Sequence, residues 1–161
     1  MSDHALLPFV DAWSIDIEAS PRAVWEALLA MSPAARSGLA MRVLARAWGA
    51  DPAGSNGLAS HVIGAERPGF AVCEVIPLHT YALAGRHRFA RYQLVFRIDK
   101  LGAGRSRLTA ETFATFPGRA GRLYRLFLMD AKLHALTLWS MVRHIRRRAE
   151  RSARREGSAS A

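Results

Sequence analysis

The chain has 161 residues, half of them apolar, and a formal charge of +10; this is the length of one domain that can bury a core, and it excludes a wholly disordered chain. The charge is confined, because Arg119 to Arg155 holds eleven basic residues against Asp130 and Glu150, whereas the remainder holds twelve basic and eleven acidic residues. The body is thus near neutral, so the high isoelectric point does not by itself mark a nucleic-acid-binding domain.

The opening segment has no basic region followed by a long apolar run, so no secretory signal is expected. No stretch reaches ~18 uncharged apolar residues, so no membrane-spanning helix is expected and the cytoplasm is the default location. In WSIDIEA, Trp13, Ile15 and Ile17 alternate with Ser14, Asp16 and Glu18, the period of a strand with one buried face. SPRAVWEALLAM comes next, with Ser20 as N-cap, Pro21 in the first turn and Val24, Trp25 and Leu28 as an apolar stripe. A second Ser-Pro start at Ser32 and Pro33 predicts another helix ending near Gly49. GADPAGSNGLAS has the composition of a loop.

The period then changes. GFAVCEVIPLHTYALAG predicts two short strands interrupted at Pro77. In HRFARYQLVFRID, Tyr92, Leu94, Phe96 and Ile98 face one way, with Arg91, Gln93, Val95 and Arg97 opposite. KLGAG predicts a hairpin turn, and RSRLTAETFATF returns with Leu108, Ala110, Thr112, Ala114 and Phe116 on one side until Pro117 and Gly118 end it. One long helix is expected from Arg119 to about Arg148. Domain boundaries are therefore placed at 1–150 for a single domain, with 151–161 as a basic, disordered tail.

The order of strand, helix pair, antiparallel strands and final long helix is an α+β layout. This order, together with Ala19, Ser20 and Pro21 after an alternating strand and the Val24–Trp25 pair in the next helix, resembles the START-like superfamily (SRPBCC; polyketide cyclase, dehydrase and lipid-transport proteins). The resemblance covers nearly the whole chain in element order, but its motif belongs to the fold more than to any chemistry. It implies a helix-grip fold, a curved antiparallel sheet wrapped around a long C-terminal helix with two short helices after the first strand. It further implies a cavity between sheet and helix that takes a hydrophobic or amphipathic small molecule.

On the long helix Leu123, Phe127, His134, Leu138, Met141 and Ile145 fall on one face, and Leu126, Met129, Leu133 and Leu136 form a second stripe. The second stripe covers neighbouring elements, or meets another chain or a membrane surface, so monomer and homodimer both stay open. The residues expected to line the ligand cavity are Tyr92, Leu94, Phe96, Thr112, Phe127, His134, Leu138 and Met141. His134 is either a hydrogen-bonding group in that cavity or a core histidine satisfied by a carbonyl. Glu74 alternates with Phe70, Val72 and Ile76, which would bury a carboxylate; a shift of register would instead put it outside, near Arg88 or Arg91, and that placement is preferred.

No HExxH, CxxC, GxSxG or phosphate-binding glycine loop occurs, and His61, His79 and His87 stand singly. No metal, cofactor or catalytic residue is therefore assigned. The expected function is that of a carrier or binding protein. The first alternative is a cyclase- or dehydratase-like enzyme, for which His134, Tyr92 and Glu74 are the available polar groups. The second alternative rests on VRHIRRRAERSARRE, with seven arginines from Val142 to Glu156. It lacks interleaved aromatics for base stacking, so no specific nucleic-acid partner is expected. The preferred reading is a solvated helix end favoured by the helix dipole, beyond an apolar stripe that stops at Ile145, with weak attraction to anionic membranes.

Overall fold

The computed structural model describes residues 7–31, 46–47, 49–59, 61–130 and 133–159. The strands are β1 (Phe9–Ile17), β2 (Glu66–Arg67), β3 (Phe70–Ile76), β4 (Thr80–His87), β5 (Ala90–Gly102) and β6 (Arg105–Thr115). The helices are α1 (Pro21–Met31), α2 (Gly118–Asp130) and α3 (Leu133–Ala159). The strands form one antiparallel sheet in the order β1-β6-β5-β4-β3-β2. This is the α+β helix-grip arrangement expected from the sequence. The second short helix, from Ser32 to Gly49, falls almost wholly outside the described residues.

Local signals explain most boundaries. The Ala23 amide donates to the Ser20 side-chain oxygen at 3.3 Å and the Val24 amide to the Ser20 carbonyl at 3.1 Å, so Ser20 caps α1 through both of its oxygens. Val24, Trp25 and Leu28 are buried, along with Ala23 and Ala27. The β5–β6 hairpin turns at Ala103–Gly104, with Gly104 at φ +68°, the left-handed conformation that such a turn requires.

Strand pairing sets the face of each side chain. Ile15, Leu108 and Ile98 lie in one cross-strand row, Ala110, Phe96 and Tyr81 in the next, and Thr112, Leu94 and Leu83 in the third. This inner face meets the helices: Ile17, Tyr81, Leu83, Leu94, Phe96, Ile98 and Leu108 share one core cluster with Val24, Trp25, Leu28, Leu138, Val142 and Ile145. Trp25 of α1 stands edge-on to Tyr81, ring centroids 6.2 Å apart and planes at 89°, a favoured aromatic geometry. Ser106, fully buried, donates to the Ala19 carbonyl at 2.8 Å and closes the β1–α1 corner.

The C-terminal helical segment is described as α2 and α3, with residues 131–132 between them outside the described residues. The structure departs from the sequence reading in three places. Leu123 of α2 is 69 % exposed, so it does not join the buried stripe of Leu138 and Ile145. The stripe also does not stop at Ile145: Ala149 is fully buried, Ala153 packs on the core, and α3 runs to Ala159. Residues 151–159 are therefore helical in this structure, where a disordered tail was expected, because alanine supplies an inward face at helical spacing without reading as apolar patterning.

The third departure is Trp13, which shares the inner face with Ile15 and Ile17 but is 39 % exposed. It sits in the middle of the edge strand β1, with a neighbouring strand on one side only. Among the described residues, no helix is long and apolar enough to cross a membrane.

Candidate functional site

The inner face is graded along the strands. At one end Ile17, Ile98, Leu108 and Tyr81 are fully or almost fully buried under α1 and the second half of α3. At the other end Phe70, Tyr92 and Met141 keep part of their surface exposed, and Leu94 and Thr112 lie between. The candidate site is this less tightly covered end.

Of the residues expected to line it, Tyr92, Leu94, Phe96 and Thr112 lie together on the inner face, and Leu138 and Met141 of α3 belong to the same core or pack against it. The side chains of Phe127 and His134 lie outside the described residues. The registers bring Thr112 opposite Leu94, and Tyr92 between Gly85 and Ala114.

Tyr92 anchors this end of the site. Its hydroxyl donates to the Gly69 carbonyl at 2.7 Å. Its ring lies 5.2 Å from Phe70 in an edge contact and 5.5 Å from His87 in a tilted one. Gly69 is in the left-handed region at φ +85° and its amide donates to Pro52 O at 2.8 Å, so the β2–β3 turn is held across β4. Gly85 permits that crossing: a Cβ there would run into the Gly69 carbonyl and come within 2.9 Å of the Tyr92 ring.

Glu74 is not in the site. The β3–β4 register shifts between Val72 and Glu74, so Val72 pairs with Leu83 on the inner face and Glu74 pairs with Ala82 on the outer one. The bulge at Cys73 adds one residue to β3 and reverses the facing of the residues after it. The outward placement preferred from the sequence is therefore the observed one. Burial and the neighbouring Glu74 charge push the Cys73 thiol up to about 11, which leaves it a thiol at neutral pH rather than a nucleophile.

His87 joins the site instead, a residue that the sequence presents only as a scattered histidine. It lies on the inner face at the end of β4, half-buried, and its Nδ1 accepts the Phe89 amide at 3.1 Å. Burial holds its pKa below the ordinary 6.5, so the imidazole is neutral at pH 7 and, with Nδ1 accepting, its proton sits on Nε2. Among the described residues, no three His, Cys, Asp or Glu side chains converge. The groups gathered here are an imidazole, two hydroxyls, the Asp11 carboxylate of the residue paired with Thr112, and a large apolar surface, which suit a mainly apolar ligand with a few polar atoms.

The lowered pKa of His87 has a definite sign for stability. Below 6.5 the unfolded chain takes up a proton that the folded chain declines, so stability is expected to fall as pH drops from 6.5 to the lowered value and then level off. His87→Asn retains an acceptor two residues before the Phe89 amide and should flatten that decline. Urea midpoints measured across this range for both proteins test it; equal slopes would remove His87 as their source.

No protein-family model matches the chain, and no curated protein matches it. Solved structures do match. A norcoclaurine synthase point mutant from Thalictrum flavum, in complex with a transition-state analogue, aligns with a TM-score of 0.55 at 11% identity over 89% of this chain and 96% of its own. A protein from Nitrosospira multiformis aligns with a TM-score of 0.55 at 10% identity, covering 86% of this chain and 94% of its own. A conserved protein from Geobacillus kaustophilus aligns with a TM-score of 0.52 at 18% identity, covering 88% of this chain and 95% of its own. At these identities the likeness establishes a shared architecture, a helix-grip-like fold in which a curved antiparallel sheet holds a long C-terminal helix.

Proposed function

We propose that this chain is a START-like (SRPBCC) protein that binds a hydrophobic or amphipathic small molecule between the inner face of the sheet and helices α2 and α3. The observation that carries the reading is the gradient of burial on that face. The half bearing Ile17 and Tyr81 is sealed by α1, while Phe70, Tyr92 and Met141 at the other end keep accessible apolar surface. Apolar surface gathered at one end of a fold, with a few fixed polar atoms in it, is the usual composition of a small-molecule site. Leu94, Phe96, Leu138 and Met141 supply the apolar walls, and Thr112 and Tyr92 the polar atoms.

The catalytic alternative has narrowed but keeps one support. Glu74 points to the outer face and the Tyr92 proton is held by Gly69. His87, neutral and on the inner face, takes their place as a proton-transferring group. That the norcoclaurine synthase shares this fold keeps a cyclase-type activity open as the second reading.

Titration with an uncharged naphthylamine fluorophore tests the carrier reading. Saturable binding at one site per chain is expected, and native mass spectrometry of the purified protein should reveal a co-purifying compound. Met141→Trp, which adds volume at a half-buried position, is expected to weaken probe binding about tenfold, the equivalent of about 1.4 kcal/mol. Non-saturable binding, or equal affinity in the variant, would defeat the assignment.

A further inference from the structure

We infer that the outward side of α3 is a docking surface for an anionic lipid bilayer. At 100° per residue, Arg143, Arg147, Arg151 and Arg154 fall on one side of the helix, opposite the buried or half-buried Val142, Ile145, Ala149 and Ala153. The four arginines are exposed, and among the described residues none of them is in an ion pair. Glu150, at the margin of this side, is already bound to Arg146 at 2.8 Å and accepts from the Glu18 amide at 3.4 Å. Between the arginines lies a shallow depression of about 270 Å³ lined by Arg147, Glu150, Arg151 and Arg154, wide enough for a phosphate group.

The apolar end of the same side distinguishes a bilayer from other polyanions. Leu136 is 58 % exposed and Trp139 is 43 % exposed, two turns and one turn before the arginines begin. The Arg143 guanidinium lies 4.5 Å over the Trp139 ring, so charge and aromatic surface are joined where the two zones meet. Tryptophan with flanking arginine is suited to the headgroup layer, where the ring enters the boundary and the guanidinium reaches phosphate. A nucleic acid would offer Leu136 no partner and would find no aromatic side chains interleaved with Arg147, Arg151 and Arg154 for its bases. The charge is local to this helix, as the near-neutral body shows, so attraction would orient the chain with α3 against the surface.

The surface is independent of the proposed ligand site, which uses the inward side of the same helix. Flotation of the full chain with vesicles of one-third phosphatidylserine in phosphatidylcholine, and with phosphatidylcholine alone, is the test. Binding to the anionic vesicles is expected to be at least about 100-fold stronger than to neutral ones, from about fivefold to tenfold per arginine near the surface. R147E/R151E/R154E should abolish that difference while keeping the thermal midpoint and the fluorophore affinity of the parent. Trp139→Ala should lower binding to anionic vesicles about tenfold with the charge intact. Equal binding to both vesicle types, unchanged binding in the triple variant or in Trp139→Ala, or tighter binding to duplex DNA or RNA than to anionic vesicles at the same salt would each overturn the inference. A parent that binds the vesicles as expected but not the fluorophore would uphold this surface and count against the ligand site alone.

Discussion

Gly85→Ala is expected to destabilise the fold by about 2–3 kcal/mol, although it adds a single methyl group. The methyl would run into the Gly69 carbonyl and press on the Tyr92 ring at 2.9 Å. Neither neighbour can give way cheaply. The Gly69 carbonyl accepts the Tyr92 hydroxyl and its amide is tied to Pro52, while the ring is flanked by Phe70 and His87. Elsewhere in a strand the same exchange restricts the unfolded chain and stabilises by ~0.5–1 kcal/mol. Gly102, at the end of β5 with open space around its would-be Cβ, supplies that control. Chemical denaturation of the two variants should give shifts of opposite sign. If Gly85→Ala matches Gly102→Ala, the crossing of the β2–β3 turn over β4 is not as tight as the geometry has it.

The same crossing shows why the site was only partly legible. Tyr92, Leu94, Phe96 and Thr112 could be placed from alternation alone, because β5 and β6 pair without interruption from Arg91–Thr115 to Lys100–Ser106, and an unbroken pleat keeps its phase. In β3 that condition fails at Cys73. Phe70, Val72, Glu74 and Ile76 alternate in the sequence, yet the bulge leaves Phe70 and Val72 inside and puts Glu74 outside opposite Ala82. A bulge is set by pairing with a neighbour, and nothing within a single strand announces it. The contact of His87 with Tyr92 was equally hidden, since it depends on the turn at Arg88–Phe89 that folds β4 back along β5. The capped start of α1 was open to reading because Ser20 acts on amides three and four residues away.

The arginine-rich end of the chain illustrates the remaining loss, and it carries the second large expectation. Read for leucine, isoleucine and methionine, the inward stripe of α3 ends at Ile145; in the structure it continues as Ala149 and Ala153 against a core that also takes in Ala23 and Ala27 of α1. α3 packs chiefly on α1, and small residues let helix backbones approach closely enough that a longer side chain has no room. Ala149→Glu is therefore expected to cost about 3–4 kcal/mol, from overpacking together with desolvation of a carboxylate in a fully buried position. Ala149→Leu, which adds volume without charge, should cost about 1–3 kcal/mol. Arg148→Ala, one residue away on an exposed position, should stay within about 0.5 kcal/mol of the parent. Urea unfolding of the three variants ranks them; a change of less than about 0.5 kcal/mol for Ala149→Glu would mean that the helix end stands in solvent on all sides. The ranking comes from the two sides of one helix: alanines pack its inward side into the core, and this packing holds the arginines in a single outward row.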